Sequence, residues 1–264
     1  MANKTMSSED LADLSYAKSL LENPSLAARI ANVVGLPIEK FIERLPEGAR
    51  EIIRTATTKS LEAALAFATS TMDDRRQGAA NWAHKIVVAA TGAAGGAFGL
   101  PALAIELPVS TIIMLRSIVD IARSEGERIK SPEAKLACLE VFALGGRARS
   151  DDAAGSSYFA VRGVLAKALA EAAEYIVERG VAQETAPPLI RLIAQIAARF
   201  GVPVSEKAMA QSLPIVGAAG GALINTLFID HFQDVGRGHF IVRRLERVYD
   251  PESVRREYLN LPLK

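Results

Sequence analysis

The chain has 264 residues, half of them apolar and 6% aromatic, which is enough to bury a large core in one or two domains. A formal net charge of +1 leaves no bulk field to attract nucleic acid or a membrane, and no nucleic-acid partner is expected. The single cysteine, Cys138, excludes an internal disulfide, and its apolar neighbours from Leu136 to Phe142 predict a buried, inert thiol.

In chain order, the start at Met1–Asp13 is polar and acidic and lacks the apolar core of a secretion signal. The chain is therefore expected in the cytoplasm, with a fraction held peripherally at the inner membrane. Asn23-Pro24 predicts a helix start and Gly35 its stop. An uncharged run, Ile86–Ile105, lies between Lys85 and Glu106 and holds the hexapeptide Gly-Ala-Ala-Gly-Gly-Ala at Gly92–Ala97. Ser131-Pro132-Glu133 is a second helix start, with an acid in the positive first turn. Gly145-Gly146 and Asp151–Ser157 form the most loop-like patch. Tyr158, Val161, Leu165, Ala168, Ala172 and Tyr175 then recur at spacings of three and four, an amphipathic helix stopped at Gly180. Leu189, Leu192, Ile193, Ile196 and Phe200 repeat the pattern, with a stop predicted at Gly201. A second uncharged run, Ala208–Ile229, carries the same hexapeptide at Gly217–Ala222, and Asp250-Pro251-Glu252 starts a last helix. No stretch alternates apolar and polar residues long enough for a strand. The expected fold is all-α: a compact helical bundle in a single domain, 1–264, with lobes at 1–150 and 151–264 as two Gly/Ala-rich, hairpin-like halves of a pseudo-repeat.

Gly92, Gly95 and Gly96 in the first hexapeptide, and Gly217, Gly220 and Gly221 in the second, have the small-residue spacing that lets helix backbones approach closely. Both uncharged runs match the roughly 20 residues that cross a bilayer. Pro101 interrupts the first, however, and Gln211, Pro214 and Asn225 sit in the second; near their ends only Trp82 supplies a Trp or Tyr. A buried hairpin, reversible membrane association and a true span all remain open on sequence.

The polar signals gather between Asp230 and Arg247. His231, His239, Asp230 and Asp234 are metal-ligand types, and an imidazole beside carboxylates can also act as a general base. The candidate site is His231, Asp234 and His239, with Asp230 beside them and Glu106 or His84 supplied from the first half; a divalent metal is its candidate cofactor. At about 100° per residue, Asp234 lies about 40° from Asp230 and His239 about 180° from it. One site using both would need a helix break at Gly236 or Gly238. The competing account pairs Asp234 with Arg237 and Arg243 with Glu246 at i, i+3 and makes the histidines hydrogen-bonded core residues. Phe232, Val235, Phe240, Ile241, Val242 and Leu245 surround this helix, which predicts a central position with its charges paired to other helices, Glu106, Arg116 and Asp120 being candidates. Glu125 and Glu127, at a helix end, are expected to face solvent. Arg243, Arg244, Arg247, Arg255 and Arg256, interrupted by acids, predict a solvated mixed-charge tail. No Gly-Lys-Ser/Thr follows the glycine-rich run and no Gly-x-Ser-x-Gly occurs, which argues against a phosphate loop and a serine-hydrolase elbow.

Three stretches carry a family resemblance: Leu21–Lys40 (LENPSLAARIANVVGLPIEK), Ala90–Glu127 (ATGAAGGAFGLPALAIELPVSTIIMLRSIVDIARSEGE) and Gly217–Glu246 (GAAGGALINTLFIDHFQDVGRGHFIVRRLE). Through them most of the chain resembles the EcsC protein family. The resemblance implies a bacterial protein whose founding relative is encoded beside the two components of an ABC transporter. Inner-membrane lipid or an ABC transporter is then the implied partner, and the resemblance carries over no catalytic residue. Three readings stand: a non-enzymatic helical accessory protein at the cytoplasmic face of the inner membrane, a metal-dependent hydrolase built on His231, Asp234 and His239, and a soluble helical interaction module.

Overall fold

Local sequence signals start and stop the helices. In a computed structural model, which describes residues 5–22, 25–36, 42, 45–70, 100–146, 157–179, 186–212 and 217–262, every regular element is a helix. Ser7 caps α1 (Ser8–Leu21) by accepting from the Asp10 N–H, with Glu9 and Asp10 in the first turn. The cap of α2 (Leu26–Val34) is Ser25 rather than Asn23: its hydroxyl accepts from the Ala28 N–H, while Gly35 ends the helix as expected, at φ 72°. Next come α3 (Glu47–Ser70) and α4 (Leu100–Ser124). Ser131 caps α5 (Pro132–Leu144) with proline in the first turn, as the sequence predicts. The buried face of α6 (Ser157–Arg179) is the predicted stripe Tyr158, Val161, Leu165, Ala168 and Ala172. Asp250 caps α9 (Pro251–Asn260).

One predicted stop fails. α7 (Pro187–Ser212) runs straight through Gly201. A glycine ends a helix by taking positive φ, and among the described residues only Gly35 and Gly126 do so. At Gly201 the backbone stays helical and its carbonyl accepts from Ser205 Oγ at 2.7 Å. Two residues later Pro203 removes a donor and frees the Arg199 carbonyl. Gly146 packs onto that carbonyl so closely that a Cβ there would overlap it. Gly145 likewise leaves no room for a Cβ against the Phe232 ring. The Gly-Gly pair that suggested a loop is therefore also a contact point, where the end of α5 meets α7 and the last long helix.

That helix, α8 (Gly217–Val248), is 32 residues and about 48 Å long. It packs against α1, α2, α4, α5, α7 and α9, the central position its all-round apolar pattern predicts. α4 lies parallel to it: Ser117 Oγ accepts from Gln233 Nε2 at 2.9 Å midway, and Glu125 meets Arg244 at the C-terminal ends. α3 packs on α4 and α7, and α5, α6 and α7 pack on one another. The core centres on Phe142, Phe200, Phe228 and Phe232, with ring centroids 4.9–6.1 Å apart. Cys138 is buried on α5, as expected, and burial pushes its thiol up to about 12.

Gly92, Gly95 and Gly96 lie outside the described residues. Gly217, Gly220 and Gly221 open α8, but a Cβ on Gly221 would meet no described atom within 4 Å. Among the described residues no helix is long and apolar enough to cross a membrane.

Candidate functional site

His231, Asp234 and His239 all sit on α8, which continues unbroken through Gly236 and Gly238. The helix turns each toward a different neighbour. His231 Nε2 lies 2.8 Å from the Gly145 carbonyl at the end of α5. Asp234 accepts from Arg29 of α2 at 3.3 Å; burial, with Asp230 nearby, raises its carboxyl against the pull of Arg29. His239 points into the α5–α6 side, where Tyr158 Oη lies 3.0 Å from its Nδ1 and Glu140 Oε2 lies 3.6 Å from its Nε2. Glu106, the acid expected from the first half, is bound to Lys207 at 2.6 Å. His84 lies outside the described residues. Among those described, no three His, Cys, Asp or Glu side chains converge as a metal ion requires.

The ion pairs of α8 also differ from those that spacing predicts. Asp234 takes Arg29 instead of Arg237. Arg243 takes Glu127, with Nε–Oε1 at 2.7 Å, instead of Glu246. Glu246 holds Arg162 of α6 in a bidentate pair at 2.7 and 3.0 Å. Glu125 and Glu127 do not face solvent. Gly126 turns at φ 80° and carries both back under α8, where Arg244 binds Glu125 and Asp13, and Arg247 joins Arg243 on Glu127. Burial alone would push the Glu127 carboxyl up, but the two guanidinium groups outweigh it and hold it below the usual range. Arg243, Arg244 and Arg247 are thus clamped on acids and do not form a solvated tail, although Arg255 and Arg256 stay exposed. Arg116 and Asp120 are exposed on α4, Asp120 pairing with Arg123 of its own helix.

Two buried polar groupings escaped sequence reasoning. One is Glu140, Tyr158 and His239, almost sealed from solvent, with Arg162, Glu246 and Arg243 around it. Its only sequence signal is that Glu140 is the lone charge in the apolar run 136–143. The other is Lys207 on α7, fully buried, with Nζ 2.6 Å from Glu106 Oε1 and 2.8 Å from Asn225 Oδ1, over the Phe228 ring at 4.8 Å. Burial lowers its pKa and Glu106 opposes that. Lys207 joins the opening turns of α4 and α8, so the starts of both helices lie at one end of the bundle. Around that end Ile105 is 64% and Leu223 43% exposed, with Ala104, Ala222 and Thr226 also at the surface.

The model of the EcsC protein family matches residues 9–245, from the first turn of α1 to the last turn of α8. The chain belongs to the EcsC protein family. Searches of the curated proteins and of the solved structures gave no match. The EcsC match contains both the Lys207 junction and the Glu140–His239 contact, while α9 lies beyond it. α9 is nonetheless tied in: Lys18 Nζ donates to the Tyr258 and Leu261 carbonyls at 2.8 and 2.6 Å, and Tyr258 Oη donates to Glu22 at 3.1 Å.

Proposed function

We propose that this EcsC-family protein is a non-enzymatic helical accessory protein that docks reversibly on the cytoplasmic face of a bacterial inner membrane, beside an ABC transporter. The observation that carries this reading is the division of charge along the parallel pair α4 and α8. Their opening turns share one end of the bundle. From residue 217 to 229, α8 has no charged residue, and the first seven positions of α4 hold only Glu106, which Lys207 already binds. Ile105 and Leu223 are exposed there. At the opposite end Glu125 and Glu127, in the turn after α4, pair with Arg243, Arg244 and Arg247 of α8. An apolar end opposite a charged one suits an interfacial contact: the apolar side chains gain by entering the headgroup boundary, and the opening turns of α4 and α8 hold no free charge that must be desolvated. The few exposed apolar side chains favour a reversible contact over insertion. The transporter as neighbour is supported only by the family resemblance, through a founding relative encoded beside the components of such a transporter. Among the described residues, His231, Asp234, His239 and Glu106 each contact a side chain or carbonyl of another helix or its end.

Vesicle flotation tests the docking. The full chain is expected to float with neutral and anionic vesicles, and the double variant Ile105→Glu, Leu223→Glu to float at least about tenfold less, since each carboxylate must be desolvated at the interface. A wild-type protein that neither floats nor pellets with cell membranes removes the membrane from the proposal. Co-purification with transporter components from membranes that bind the protein tests the second half of the reading.

A further inference from the structure

A buried imidazole nitrogen without a hydrogen-bond partner is costly and needs a reason. His239 Nε2 is such an atom: the residue is fully buried, Nδ1 is engaged with Tyr158 Oη at 3.0 Å, and Nε2 has no hydrogen-bond partner. The polar atom placed to serve it is Glu140 Oε2, at 3.6 Å, in a carboxyl that is itself buried. The gap exceeds a normal hydrogen bond by a few tenths of an ångström. We infer that Glu140 and His239 form a one-proton latch between α5 and α8: the proton resides on Glu140 and is offered to His239 Nε2, while the Nδ1–H is offered to Tyr158 Oη of α6. Among the described residues His239 shares no metal-holding cluster with His231 or Asp234, which contact the Gly145 carbonyl and Arg29 instead.

The surroundings favour this neutral arrangement. The charged groups facing the pair are Arg162 on α6, with Arg243 and Glu246 on α8; Glu127, after α4, faces Arg243. α3 keeps Glu47, Arg50, Glu51, Arg54, Lys59 and Glu62 exposed, and α4 exposes Arg116, Asp120 and Arg123 while Glu106 binds Lys207. On α7, Arg191 pairs with Glu171, Arg199 reaches Gly146 and Lys207 binds Glu106; Glu206 is buried. Burial raises Glu140 from 4.5 to about 7, and burial with Arg162 and Arg243 drives His239 well below 6.5. Folding then moves a proton without binding or releasing one. Between about pH 4.5 and 6.5 the unfolded chain has a carboxylate and an imidazolium; the folded pair has a carboxylic acid and an imidazole. Each state holds one proton, so the latch contributes no pH slope in that window.

Either half alone would have a slope. With Glu140→Gln, the unfolded state binds a proton at His239 that the folded state refuses, so stability is lost as pH falls below 6.5. With His239→Gln, the folded state keeps a proton on Glu140 that the unfolded state releases, so stability is lost as pH rises from 4.5 towards the folded value. The readout is each variant's urea-unfolding constant divided by that of the wild type, between pH 5 and 6.5, which cancels all other groups. The Glu140→Gln ratio is expected to rise with falling pH and the His239→Gln ratio with rising pH, each by up to about tenfold per unit. Ratios that slope the same way, or stay flat, overturn the latch. If a variant does not fold, nitrogen-15 NMR of the wild type decides, with His239 assigned by elimination using His84→Gln and His231→Gln. A neutral His239 ring protonated at Nδ1 at pH 5.5 is expected; an imidazolium, or a proton on Nε2, overturns the proposal.

Discussion

The two halves of α8 are held in place differently. From residue 221 to 229, among the described side chains, the helix meets its neighbours through apolar groups and one buried lysine, which it shares with α4 and α7. From residue 230 to 248 it is ringed by ion pairs to α2, α6 and the turn after α4, and pressed by α1 at a glycine. The contrast separates two tasks. Apolar contact supplies stabilisation but fixes register weakly, whereas a charge buried beside a dedicated partner makes any shifted register costly. The end proposed to face a bilayer has few charges to desolvate. The other end specifies how the helices assemble.

The largest expected effect is at the charged end. Glu127 is nearly buried beneath Arg243 and Arg247, so Glu127→Gln leaves a partly buried guanidinium without its counter-charge. We expect a loss of about 2–3 kcal/mol at pH 7, below the full range for buried pairs because Arg243 keeps some contact with water. The sign with pH follows from its depressed carboxyl. A group whose folded value lies below its ordinary 4.5 contributes above that pH and loses its contribution as pH falls through the folded value. Thermal unfolding of wild type and variant should therefore differ most near neutrality and converge as pH falls through the depressed folded value. A gap that persists unchanged in acid would mean that the carboxylate's charge is not what clamps this end.

The glycines give a second, smaller contrast. At Gly238 a Cβ would come within 2.7 Å of Leu21 Cγ and 3.0 Å of the Ala17 carbonyl on α1, whereas at Gly221 it would meet no described atom within 4 Å. Gly238→Ala is expected to cost about 1–2 kcal/mol, the overpacking partly offset by better helix propensity. Gly221→Ala is expected to stabilise by up to about 1 kcal/mol, since only propensity changes. Urea titration of both variants tests this, and equal shifts would erase the difference between the ends.

The sequence-based reading succeeded where the deciding physics is local. Ser131-Pro132-Glu133 and Asp250-Pro251-Glu252 start helices because capping involves only the next three residues, and Gly35 stops one by taking positive φ. The central position of α8 was legible from apolar residues on all its sides. Its partners were not. Arg162–Glu246 and Glu127–Arg243 join residues 84 and 116 positions apart, whereas spacing rules see only three or four. Glu125 and Glu127 looked solvent-facing because nothing nearby shows that Gly126 turns the chain back under α8. The candidate site followed the same division. The helical angles already set His239 opposite Asp234, and the unbroken helix keeps them apart; Glu140 and Tyr158 could be found only by folding α5 and α6 onto α8.

The smallest expected effect is at the apolar end, and it is the sharpest test of the comparison. Lys207 is fully buried, and burial disfavours its charge more than Glu106 favours it, which lowers its pKa. Removing such a cation and filling its volume with an apolar side chain avoids its desolvation. The acid left behind, Glu106, is about a third exposed and can be solvated. Lys207→Met should therefore change stability by less than about 1 kcal/mol, in either direction, despite deleting a 2.6 Å ion pair. Asn225 loses a donor in the same substitution but lies at the partly exposed start of α8, where water can replace it. If Lys207→Met instead costs as much as Glu127→Gln, the buried lysine fixes the register of α4, α7 and α8 just as the arginines do at the other end. The two halves of α8 would then differ in how much charge they carry, and not in what holds them.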